Sequence, residues 1–115
     1  MNWQTIELQG YAYYSQKGYR ILAPLVSNKA YDFVAEKDGE FIRVNVKTAG
    51  LKDKSQLDSW SISQSSGSGS GHTDNHGVDI YLTWLPKYKR FVEIDGGFLI
   101  GGNSKSKRIP KELLT

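Results

Sequence analysis

The sequence predicts one α/β domain, a sheet of roughly four or five strands with a first helix packed against it. Three observations lead there. The chain has 115 residues, enough for a single modest core and too few for two. Its N-terminal stretch repeats aromatic and aliphatic residues at helical steps. The remainder sets β-rich runs between compact turn signals.

In order, Trp3, Ile6, Gly10, Tyr13, Tyr14 and Lys17 recur at three- and four-residue steps, so 3–17 reads as a helix. Asn2 is placed to cap its first turn and Gly18 to end it. Tyr19 to Ala23 is a β-rich run closed by Pro24, and 25–30 reads as a loop. The segment YDFVAEKDGEFIRVNVKT, residues 31–48, then gives two extended runs joined by Asp38-Gly39. That dipeptide suits a type I′ turn, which needs φ > 0 at both central positions. A two-residue turn fixes the register, with Lys37 facing Glu40, Phe33 facing Val44 and Asp32 facing Asn45. Alternation puts Asn45 and Lys47 on one face, and Asp32 converges on them at cross-strand distances of about 5 to 7 Å. A bulge near Asp32 is compatible with a working site.

After Thr48, AGLKDKSQLD is polar and turn-like, and Trp60 and Ile62 suggest a short alternating strand. SSGSGSGHTDNHG, residues 65–77, is too rich in Gly and Ser to build a core and is expected to be a mobile loop within one domain spanning 1–115. Val78 to Leu85 is the clearest buried strand, PKYK a turn, Arg90 to Ile94 a returning strand, and the tail RIPKELLT a last short helical turn.

Composition narrows the function classes. Fifteen Lys and Arg against twelve Asp and Glu leave a formal charge of +3, a mild excess that favours polyanions. The basic residues gather in Lys87, Lys89 and Arg90 and again in Lys105, Lys107, Arg108 and Lys111, runs that solvated turns and tails also produce. The absence of cysteine excludes a disulfide framework and thiolate metal sites and fits an intracellular protein. MNWQTIELQG lacks the basic and apolar regions of a signal peptide, and no apolar run approaches the roughly 18 residues that span a bilayer. The expectation is a soluble, cytoplasmic protein without a membrane partner.

Asp32, Asn45 and Lys47 carry the chemistry. A carboxylate, a second oxygen ligand and an ammonium group within a few ångströms are what phosphodiester hydrolysis asks for. Mg²⁺, or Mn²⁺ in its place, is held by one or two carboxylates plus substrate phosphate and keeps several waters. Such an ion lowers the pKa of a bound water and neutralises charge on the phosphoryl group. Lys47, with three donors on a flexible stem, suits orientation of that water.

Residues 31–48 resemble the core motif of the PD-(D/E)XK nuclease superfamily, with Asp32 as first acid, Asn45 in the (D/E) slot and Lys47 as the lysine. The resemblance implies a mixed central sheet with a flanking helix. Glu7, eleven residues before Gly18, resembles the helix acid of Holliday-junction resolvases and related small endonuclease-like proteins. GYRILAP and VDIYLTWL resemble the first strand and the later buried strand of that group, so the similarity runs from about residue 3 to residue 95. It implies a Mg²⁺- or Mn²⁺-dependent DNA endonuclease in which Asp32 and Glu7 hold the metal, Asn45 supplies an oxygen or bonds the metal water, and Lys47 orients the nucleophile. The substrate is a junction or, for a restriction or homing type, a specific sequence. Cutting both strands takes two such sites, so a homodimer is the expected assembly.

Asn45 departs from the acidic rule of that motif. An amide still offers its carbonyl oxygen, but one negative charge is gone. The alternative is therefore a degenerate module that binds nucleic acid or a protein partner without cleaving. Ser27 and Asn28 before Asp32, Thr48 and Gly50 after Lys47, Lys52 and Lys54 beyond, and His72 and His76 in the Gly-Ser loop are the candidate DNA contacts. The two histidines lack the helix that would present an H-x-x-x-H pair to zinc. Tyr11, Tyr13, Tyr14, Trp60 and Trp84 could stack on bases, although such periodicities more often build a core.

Overall fold

The computed structural model describes residues 2–24, 31–51, 60–63, 77–98 and 106–114. Ser27, Asn28, Lys52, Lys54, His72, His76, Lys105 and nearly all of the Gly-Ser stretch lie outside the described residues, as does the loop expected over 25–30.

Helix α1, Trp3–Ser15, begins where Asn2, in extended backbone, accepts a 2.9 Å hydrogen bond from the Thr5 amide. This satisfies one of the orphan donors of the first turn. The helix ends two residues earlier than its periodicity predicts, and the chain turns through Gly18 at φ +90°. Strand β1, Arg20–Leu22, pairs antiparallel with β2, Phe33–Lys37, which forms the hairpin with β3, Glu40–Thr48. Asp38 and Gly39 have φ of 53° and 83°, the signs a type I′ turn requires, and Lys37 pairs with Glu40 and Phe33 with Val44 as the dipeptide dictates.

Beyond Phe33 the expected ladder changes. The Asp32 amide donates to the Val44 carbonyl at 2.7 Å, and β2's pairing stops while β3 runs on to Thr48. On its other side β3 pairs in parallel with β6, Ile80–Leu85, placing Asn45 beside Tyr81 and Lys47 beside Thr83. β7, Arg90–Asp95, returns antiparallel. The result is a mixed five-stranded sheet in the order β1-β2-β3-β6-β7. Within the polar stretch after Thr48 lies β4, Gly50–Leu51, which joins β5, Trp60–Ser63, and β8, Ser106–Arg108, in a second, three-stranded sheet that local pattern did not announce. Lys111–Leu114 forms a 3₁₀ turn.

Two cores sandwich the main sheet. On one face Phe33, Ala35, Val44 and Leu82 pack with Tyr14, and Tyr11, Tyr13 and Val46 close around them. On the other, Tyr81, Leu85, Val92 and Ile94 pack with Ile109 and Leu114 of the C-terminal segment. The helix reaches the sheet at Gly10, where an added Cβ would lie 3.2 Å from Val46 and 3.3 Å from Leu82.

Candidate active site

Strand alternation sorts the candidate residues by face. Val44 and Val46 point toward α1, so Asn45 and Lys47 belong to the opposite side. Lys47 accordingly lies with its Nζ 5.7 Å from the centre of the Tyr81 ring, a residue of the opposite core. Glu7 comes from α1, one helical turn before Gly10, and is half-buried. The two charged residues thus approach from opposite faces of the sheet.

Asp32 stands between them. Where β2 leaves β3, the Val46 amide loses its β2 partner, and the Asp32 carboxylate takes its place, Oδ2 accepting from that amide at 2.6 Å. The side chain therefore lies along the edge of β3. From there its charge is felt by both neighbours. Burial is the largest influence and lifts the Asp32 pKa above the ordinary carboxylate range. The Val46 amide and Lys47 pull it back, and the Glu7 carboxylate pushes it further up. Lys47 is lowered by burial, with Asp32 opposing.

Glu7 is held by its own helix. The Tyr11 hydroxyl, four residues on, donates to Glu7 Oε1 at 3.0 Å, and the Tyr11 ring packs edge-on against Phe33 with centroids 4.9 Å apart. Burial, the Glu7 contact and the nearby Asp32 push the Tyr11 phenol up to about 12, so it remains a donor at every working pH.

Asp32 interacts electrostatically with both Glu7 and Lys47, and Asn45 lies on the Lys47 face of β3. Thr48 is exposed at the end of β3, and Gly50 begins β4. Among the described residues, Asp32 Oδ1 and Glu7 Oε2 take no protein hydrogen bond. Two repelling carboxylates from separate elements, each with an oxygen to spare, fit a hard divalent cation. No third His, Cys, Asp or Glu joins them among the described residues, which suits an ion that keeps much of its water.

Sequence reasoning missed two features. Tyr11 appeared only as an aromatic, although its i+4 spacing from Glu7 was the available signal. The second is Glu93 on β7, which accepts from Tyr14 at 2.8 Å and Tyr13 at 3.0 Å and meets Lys17 at 3.4 Å. Despite burial, those partners draw its pKa below the usual carboxylate range. A lone acid in RFVEID was the only trace of it.

The family model described as PD-(D/E)XK endonuclease matches residues 6–94, a span that includes Glu7, Asp32, Asn45 and Lys47. Among solved structures, a bacterial homing endonuclease, I-Ssp6803I, shares the fold with a TM-score of 0.71 at 15% identity, over 92% of this chain and 70% of that one. No curated protein matches the sequence. Among the described residues, no helix is long and apolar enough to cross a membrane.

Proposed function

Because the chain belongs to the PD-(D/E)XK endonuclease family, we propose that it hydrolyses DNA phosphodiester bonds at the Glu7–Asp32–Lys47 site with the help of Mg²⁺ or Mn²⁺. The observation that carries this reading is the position of Asp32, a half-buried carboxylate at the point where β2 and β3 part, repelled by Glu7 and attracted by Lys47. Asp32 and Glu7 would hold the ion, which when bound supplies Lewis acidity and neutralises phosphate charge. Lys47 donates hydrogen bonds that orient the attacking water, and its lowered pKa brings it nearer the range useful for proton transfer. Asn45, a neutral amide in the motif's second acid slot, offers its carbonyl oxygen or bonds a water of the ion.

The similarity in fold to a homing endonuclease supports a sequence-specific substrate over a four-way junction. Thr48 and Gly50, together with Ser27, Asn28, Lys52, Lys54, His72 and His76, are proposed contacts to the DNA. Cutting both strands calls for a second site, so a homodimer is part of the proposal. Asn45 favours one other reading, a module that binds DNA and no longer cleaves it.

The test is cleavage of supercoiled plasmid, a synthetic four-way junction and a library of duplex targets with Mg²⁺ or Mn²⁺, beside Asp32→Asn and Lys47→Ala. Cutting lost in both variants supports the enzyme, and the substrate that is cut assigns its type. DNA retained without cutting of any substrate supports the binding module.

A further inference from the structure

The two carboxylates belong to elements that share no covalent frame, so something must fix the orientation of Glu7 relative to Asp32. Glu7 sits half-buried in the second turn of α1, where a side chain without a partner would sample several rotamers. Tyr11 touches both halves of the problem. Its hydroxyl donates to Glu7 Oε1, and its ring lies edge-on against Phe33, the residue next to Asp32. Phe33 is fully buried and paired to Val44, so the ring is seated on a fixed point of the sheet.

We propose that Tyr11 is a positioning residue that holds Glu7 with one oxygen engaged and the other turned toward the metal position beside Asp32, an inference that rests on the metal-site reading above. The hydrogen bond removes one acceptor of Glu7 from competition and leaves Oε2 for the ion. Partners of this kind around a ligand govern affinity by orientation, and their loss weakens metal binding by about 10- to 100-fold.

Mn²⁺ binding to the full chain without DNA, followed by calorimetry or electron paramagnetic resonance, tests it. Tyr11→Phe keeps the ring against Phe33 and removes only the hydroxyl, and should weaken Mn²⁺ about 10-fold. Tyr11→Leu, a second variant with apolar bulk, should do the same, with folding checked by circular dichroism. Tyr13→Phe, which removes a hydroxyl bonded to Glu93 rather than Glu7, should bind as the parent does. In a Glu7→Gln background Tyr11→Phe should have no further effect, an outcome that a general loss of packing would not produce. Mn²⁺ affinity equal to the parent's in Tyr11→Phe, with Asp32→Asn still abolishing binding, overturns the inference and leaves the metal site standing. Absence of Mn²⁺ binding in the parent overturns both.

Discussion

Gly10 sets the height of α1 over the sheet, and Gly10→Ala measures how tightly that height is fixed. A Cβ there would stand 3.2 Å from Val46 Cγ2, 3.3 Å from Leu82 Cδ2 and 3.7 Å from Phe33 Cε1. The first two approaches are closer than ordinary contact, so α1 or its neighbours must move by a few tenths of an ångström. Those neighbours have little freedom. Leu82 and Phe33 are fully buried, and Val46 is β-branched within a strand paired on its β6 side. Alanine gains about 1 kcal/mol of helix propensity over glycine, whereas overpacking costs roughly 1 to 3 kcal/mol. The packing penalty wins, and the expected net loss is about 1 kcal/mol, a fall in Tm of roughly 4 °C for a domain of this size. The displaced element carries Glu7, so Mn²⁺ affinity should fall as well. Thermal unfolding followed by circular dichroism, with and without Mn²⁺, reads both. A Tm above the parent's would refute the close packing, and an unchanged Mn²⁺ response beside a lowered Tm would refute the link between helix height and the site.

Asp32→Asn should raise the Tm of the metal-free protein at pH 7 and abolish its stabilisation by Mn²⁺. The Asp32 pKa is raised by folding, so the parent loses stability as pH climbs from the ordinary carboxylate value to the folded one. The difference between the two proteins should therefore vanish near pH 3, as thermal melts across pH will show. Lys47→Met keeps the stem and removes the charge. Cleavage should fall by at least about 100-fold, the lower end of a general acid–base contribution, while Mn²⁺ binding persists. Folding depresses the Lys47 pKa, so the parent should gain on Lys47→Met as pH rises through that folded value toward 10.5. Glu93→Gln should cost about 1 kcal/mol at pH 7, since the site is partly exposed and screened. Here folding lowers the pKa, so the advantage of the parent is present above the ordinary value of 4.5 and is lost as pH falls through the folded one. A gap that persisted at pH 2 would show that the carboxylate's charge is not the cause.

The parts of this molecule that could be read from the sequence are those decided by neighbours in the chain. The Asn2 cap, the stop at Gly18 and the Asp38-Gly39 turn each depend on two to four residues, and the turn alone carried the register from Lys37–Glu40 to Phe33–Val44. What local pattern could not give is long-range. The second sheet joins Gly50, Ser61 and Arg108, and the Glu93 cluster joins α1 to a strand nearly eighty residues away. The site falls between these cases. Its candidate residues come from a short motif, yet their arrangement does not. Straight extension of the hairpin puts Asp32 across from Asn45, whereas the ladder's end lets the carboxylate reach the Val46 amide, which no alternation of side chains foretells.

That ending explains why a side-chain acceptor belongs at position 32. A β3 amide left without a strand partner needs an acceptor, and an asparagine oxygen would satisfy Val46 as well as a carboxylate does. The carboxylate brings penalties an amide would not. Burial and Glu7 both oppose its ionisation, and one amide and Lys47 do not offset them, since the balance leaves its pKa raised. Charge held against such opposition is destabilising in the metal-free fold, and the proposed cation would relieve it. Lys47 supplies part of that relief from the opposite face, and its own burial weakens it there. The strand divergence thus places beside β3 a carboxylate whose charge Lys47 offsets only in part and which the proposed cation would compensate further. Asn45, on the Lys47 face of β3, would offer such a site an oxygen without adding to the repulsion. A neutral residue in the motif's second acid slot is thus compatible with the proposed metal site, with a weaker affinity than an acid there would give.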